Sequence, residues 1–144
     1  MDSNSFNQKF KINQLMIYET NYWIWSLRPH QATIGAGILS LKRFCSSFSE
    51  LTKEEYNDLG KIIKVIEPTL TNVFKCDVIN YLMLMMVDKH VHYHIIPRYK
   101  KPIEILEKKW VDQSWPAIPN LKGDAQSHDS MMEILSLIKK SIDF

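Results

Sequence analysis

The sequence predicts an α+β fold: a twisted antiparallel sheet of about five strands, one long helix packed on it, and a C-terminal helix docked separately. Three observations carry the prediction. Short runs rich in aromatic and β-branched residues recur early in the chain, broken by Asn21, Pro29 and Gly35. A helix-capping motif at Thr52 opens a long stretch of helical period. Near the end, Met132, Leu135, Ile138 and Ile142 again fall at helical spacing.

Taken in order, residues 1–11 are polar (Asp2, Ser3, Asn4, Ser5, Asn7, Gln8) and are expected to be a flexible N-terminus, with a single domain over residues 12–144 that includes a C-terminal extension. Residues 15–19, 22–27 and 37–41 read as antiparallel strands, with Trp23 and Trp25 packed inside. Thr52 and Glu55 have the spacing of a capping box, in which each side chain satisfies an orphan amide donor, so a helix starts just after Thr52. Its stripe Leu59, Ile62, Ile63, Ile66 and Leu70 faces the sheet, Lys53, Lys61 and Lys64 face water, and Pro68 is expected to kink or interrupt the last turns. Residues 78–86 are apolar on both faces and predict a central strand, with Met83, Met85 and Met86 as adaptable core filling. Val87-Asp88-Lys89 is a polar connection into a second hairpin arm at residues 90–96, which Pro97 ends. Residues 100–120, with Pro102, Pro116 and Pro119 among Trp110 and Trp115, predict an irregular segment held down by aromatic side chains. The final helix takes its cap from Ser127 or Asp129.

Composition excludes several classes of function. The apolar content of 45% over 144 residues builds a core without disulfides, and Cys45 and Cys76 lie too far apart for a metal knuckle, so both are expected as reduced thiols. Scattered basic residues and a net charge of +2 give no footprint for long nucleic acid. No apolar run approaches a membrane span and the first residues lack a secretory pattern, so a cytoplasmic protein without membrane partners is expected.

The chemistry concentrates in His90-Val91-His92-Tyr93-His94. Alternate side chains of a strand share a face, so three imidazoles line one wall, neighbours roughly 6.6 Å apart and the outer pair about 13 Å apart. One metal ion is therefore out of reach of all three, and a His-X-His chelate needs another ligand; Asp88, His30 and His128 show no metal spacing. Solvated histidines on an outer face are a second reading, although three in strict alternation argue against it. Nucleophilic chemistry fits best: the middle ring attacks phosphorus while its neighbours hold its tautomer and meet phosphate charge.

The run His90-Val91-His92-Tyr93-His94-Ile95-Ile96 resembles the His-X-His-X-His-X-X signature of the histidine triad proteins, X being apolar, and Pro97-Arg98 continues it as in many members. The likeness extends upstream through Gly35 to Arg43 and Ser47-Phe48-Ser49-Glu50-Leu51-Thr52, a strand, basic loop and helix entrance. Residues 80–88 together with Trp115-Pro116 resemble a bacterial subgroup described as diadenosine polyphosphate hydrolase-like. The resemblance implies a nucleotide hydrolase or transferase in which His92 attacks an α-phosphorus, His94 assists charge or proton transfer, His90 orients the row and Arg98 contacts substrate, with no metal and no cofactor. It further implies a homodimer and a small nucleotide substrate, either a dinucleoside polyphosphate or a nucleotidyl amide. Two departures stand out. Many members carry Gly-His where this chain has Gly35-Ala36, and a Gly-Gln-Ser/Thr-Val loop where it has Met85-Met86-Val87-Asp88. They motivate the alternative of a nucleotide-binding regulatory protein with weak or no turnover.

Overall fold

A computed structural model describes residues 2–142 of the chain. In chain order the elements are helix α1 (Ser3–Lys9), strands β1 (Met16–Glu19), β2 (Trp23–Leu27), β3 (His30–Gln31) and β4 (Gly37–Leu41), helix α2 (Lys53–Phe74), strands β5 (Val78–Leu82), β6 (His92–Arg98), β7 (Ile103–Ile105), β8 (Lys108–Trp110) and β9 (Asp124–Ala125), and helix α3 (His128–Lys139). The main sheet is five-stranded, in the order β1-β2-β4-β6-β5, every pair antiparallel. The expected α+β architecture is therefore present.

Strand alternation divides the sheet into two faces. Trp23, Trp25, Leu27, Leu39, Leu41 and Ile95 join one buried cluster with Ile62, Ile66, Leu70 and Phe74 of α2 and Ile134 and Ile138 of α3. This is the principal core. On the opposite face Ile38 packs with Phe6 and Phe10 from the α1 region and with Ile12, a smaller and separate cluster.

Helix α2 starts as the capping box predicts: Thr52 Oγ1 accepts from the Glu55 amide at 3.1 Å and Glu55 Oε1 accepts from the Thr52 amide at 2.8 Å. Both oxygens of the same carboxylate accept from Arg43, at 2.8 Å each, and the Trp23 indole donates to the Glu55 carbonyl, tying the helix start to β2. The helix runs through Pro68 without interruption to a left-handed Lys75. Helix α3 takes Ser127 as its cap.

Four expectations need correction. Residues 3–9, expected in a flexible end, form α1, capped by Asp2 and anchored by Phe6, which is wholly buried. The 78–86 run yields not a central strand but the sheet edge β5: Val78 is 46% exposed and Met86 83%, so apolar character on both faces here marks a half-covered edge. Pro97 does not end β6, because pairing with β4 stops at Ile95 and beyond it only β5 is bonded, leaving the proline's missing donor unneeded. The segment expected to be irregular contains the β7–β8 hairpin.

Candidate active site

Two features of the sheet position the histidines. The β4–β6 register sets His92 opposite Ser40 and His94 opposite Ile38, on the face that α1 covers. His90 precedes the ladder, and the backbone at Val91 continues the pairing, donating to the Cys45 carbonyl and accepting from the Leu41 amide. All three rings gather under α1. Phe6 lies 4.8 Å from His90 and 5.0 Å from His92 between ring centroids; Phe10 lies 6.1 Å from His92 and 6.2 Å from His94. The His92 and His94 rings meet edge to face at 5.1 Å.

The three imidazoles are not equivalent. Both ring nitrogens of His90 are occupied: Nδ1 accepts from the Cys45 amide at 3.2 Å, which leaves Nε2 to donate to the Leu41 carbonyl at 2.8 Å. Phe44 stacks on the same ring at 5.4 Å. His90 is thus locked in one tautomer and does not face a ligand. Its backbone carbonyl accepts a hydrogen bond from His92 Nδ1, so the His92 proton sits there and Nε2 keeps its lone pair. Among the described residues, His92 Nε2 is buried without a partner, as is His94 Nδ1.

Burial pushes the pKa of all three histidines down from the ordinary value, with His94 reaching about 4. At His94 the neighbouring His92, Arg28 and Lys9 push the same way, and Asp88 opposes them. The row is therefore neutral at pH 7, the state a nucleophilic nitrogen requires. Because these groups bind protons less readily in the folded chain than in the unfolded chain, their contribution to stability is complete above about pH 6.5 and is lost as pH falls toward 4. We expect the melting temperature to decline from pH 7 to pH 5, before most carboxylates protonate, and the slope to shrink in His94→Asn. An unchanged slope would show that the row does not drive the decline.

Helix α1 is also held by charge. Lys9 Nζ lies 2.7 Å from Asp88 Oδ1, in the connection that leads into the histidine row. His92 is 0% exposed, with Phe6 and Phe10 lying against its ring.

Arg98, expected to contact substrate, is committed elsewhere. Its Nε donates to Asp112 Oδ2 at 2.7 Å, Nη1 to Asn80 Oδ1 at 2.8 Å and Nη2 to the Ala117 carbonyl at 2.8 Å, and the residue is 4% exposed. It ties the segment that carries Trp115 to the sheet. Sequence reasoning missed what lies around the row: Phe6, Phe10 and Lys9 above it, and Arg28 beside it. The four-residue spacing of Phe6 and Phe10 after Asp2, a capping residue, was the available signal.

No protein-family model and no curated protein matches the chain. Solved structures do. A HIT-like protein involved in cell-cycle regulation from Bartonella henselae aligns over 99% of this chain and 98% of its own at 17% identity and a TM-score of 0.71. A histidine triad protein from Sinorhizobium meliloti aligns over 92% and 93% at 17% identity, again with a TM-score of 0.71. The diadenosine triphosphate hydrolase of Plasmodium falciparum aligns over 88% and 75% at 19% identity, with a TM-score of 0.66. The fold is that of the histidine triad proteins. Ala36 is buried, and exposed His30 pairs with Ala125 on the small β3–β9 ladder. Among the described residues, no three or more His, Cys, Asp or Glu side chains gather in a group that could hold a metal ion. Among the same residues, no helix is long and apolar enough to cross a membrane.

Proposed function

We propose that this chain is a nucleotidyl hydrolase or transferase of the histidine triad type, attacking the α-phosphorus of a dinucleoside polyphosphate or a nucleotidyl amide through a covalent nucleotidyl-His92. The observation that carries the reading is the disposition of the two His92 nitrogens, one hydrogen-bonded to the His90 carbonyl and the other bare. In the reaction the Nε2–P bond forms as the bond to the leaving group breaks, and the leaving atom takes the electron pair. The Nδ1 proton stays on the ring, its positive charge relieved by the carbonyl. Water or another acceptor then cleaves the N–P bond and regenerates neutral His92. His94, next along the row and neutral at pH 7, would relay a proton from water to the leaving atom, taking it up at one ring nitrogen and releasing it from the other, and His90 acts as the positioning residue through its carbonyl.

The experiment is intact-protein mass spectrometry after brief incubation with dinucleotides and nucleotidyl amides. The wild type is expected to gain the mass of one nucleotide or to release mononucleotide, and His92→Gly to lose turnover by roughly a thousandfold or more. Product formation undiminished in His92→Gly would sink the mechanism.

A second reading, a nucleotide-binding regulator without efficient turnover, draws support from Asp88, whose carboxylate beside the row opposes an incoming phosphate, and from Ala36. Tight nucleotide binding with neither adduct nor product would favour it. The expected homodimer has a suitable surface in the open edge β5, where Val78 is exposed with Leu84, Met86 and Val87 beyond it.

A further inference from the structure

Of the three arginines in the chain, Arg43 pairs with Glu55 and Arg98 with Asp112, whereas Arg28 has no carboxylate partner among the described residues. Its position is fixed by the ladder. Arg28 directly follows β2, and its amide donates to the Ala36 carbonyl at 2.9 Å, one step beyond the Leu27–Gly37–Ile95 rung. Ser26, Ile38 and His94 form the rung before that one. By alternation Arg28 therefore shares the face of Ser26, Ile38 and His94, the face that carries the histidines. It stands across from Ala36, where a methyl group offers no polar contact.

The guanidinium is half-buried and poorly satisfied. One hydrogen bond, Nη1 to the His30 carbonyl at 2.9 Å, is its only side-chain bond among the described residues, and Nε is buried with no partner. Burial lowers its pKa from the ordinary value, and its charge is in turn felt by His94. A cation held out of water without a counter-charge costs stability, and an anion bound there offsets that cost. Along the strand direction the order is His92, His94, then Arg28, but Arg28 follows β2, two strands across from β6, so its backbone stands roughly 12 Å from that of His94. An α-phosphorus at His92 thus leaves Arg28 beside a different part of the substrate.

We infer that Arg28 binds a second anionic group of the substrate, a phosphate remote from the attacked α-phosphorus, and so makes the site selective for nucleotides that carry one. The inference rests on the histidine row being the nucleotide site. The second phosphate has two possible sources, the polyphosphate chain that leaves or a phosphate on the sugar. Either presents the paired oxygens that a guanidinium fork matches.

The test is calorimetric binding, which requires no turnover, with adenosine 5′-monophosphate, adenosine 5′-diphosphate and adenosine 3′,5′-bisphosphate as probes on the full chain. The wild type is expected to prefer at least one doubly phosphorylated probe over the monophosphate by about tenfold to a hundredfold. Preference for the diphosphate assigns the anion to the leaving chain, and preference for the bisphosphate assigns it to the sugar. Arg28→Gln is expected to abolish the preference while holding the monophosphate within about threefold, and Arg28→Lys to keep part of it. Equal affinity of the wild type for all three probes, or an equal loss on all three in Arg28→Gln, overturns the inference. A chain that shows the preference but forms no His92 adduct would refute the catalytic reading alone.

Discussion

Replacing Asp112 with Asn is expected to cost the protein about 3–5 kcal/mol, the range for stranding one half of a buried ion pair. The Arg98 and Asp112 side chains are 4% and 2% exposed, so solvent screens little of the interaction, and Arg98 holds the Asp112 carboxylate below the usual range. The same carboxylate accepts from the Tyr99 amide at 3.2 Å and from Ser114 at 3.3 Å, so the substitution also loosens the segment at residues 112–117. In a chain of this length the loss corresponds to a fall of roughly 10 °C or more in melting temperature. A fall under about 3 °C would mean that the guanidinium finds water in the folded state. Arg98→Met combined with Asp112→Leu removes both charges together and is expected to cost much less than the two single changes summed.

Phe6→Ala is expected to unseat α1 and make His92 reactive. Phe6 fills the space between the His90 and His92 rings and anchors a cluster of only four buried residues, apart from the main core. Truncating a buried phenylalanine costs about 3–5 kcal/mol, and here that cost falls on local opening rather than on global unfolding. Modification of His92 by diethyl pyrocarbonate, followed by peptide mass spectrometry, should accelerate by about a hundredfold or more. Lys9→Ala is a useful contrast. The Lys9 side chain of the Lys9–Asp88 pair is 48% exposed, so the pair contributes about 1 kcal/mol or less and its loss should change the rate by no more than about fivefold. A His92 rate in Phe6→Ala equal to that of the wild type would mean that some other element shields the ring.

These experiments bear on the parts of the molecule that periodicity does not reveal. The strands β1, β2 and β4 and both long helices were legible because their signals are local: alternation, the Thr52–Glu55 box, and apolar stripes at three- and four-residue spacing. The histidine row was legible for the same reason, since alternation alone places His92 and His94 on one face. Four features were not. Helix α1 has seven residues and an anchoring face of Phe6, with Phe10 at its C-cap, so its stability comes from the histidine rings and Ile38, partners far off in sequence. Whether β5 lies at the centre or the edge depends on strand order, which composition does not encode. Arg98 reads as a substrate contact until the chain brings Asp112 back to it, and Arg28 falls just past the strand read at residues 22–27 until the ladder sets it across from Ala36.

The two edges of the sheet differ in kind. At one end β1 is four residues long and breaks register between Met16 and Tyr18, an irregularity that turns an outer strand away from new partners. At the other end β5 keeps an unbroken register with β6 from Val78 to Leu82 and presents apolar side chains. A sheet with one receptive margin can be extended once, because joining two such margins consumes both. Were this chain to associate edge to edge through β5, the assembly would close at a pair, a stop against growth into a fibre.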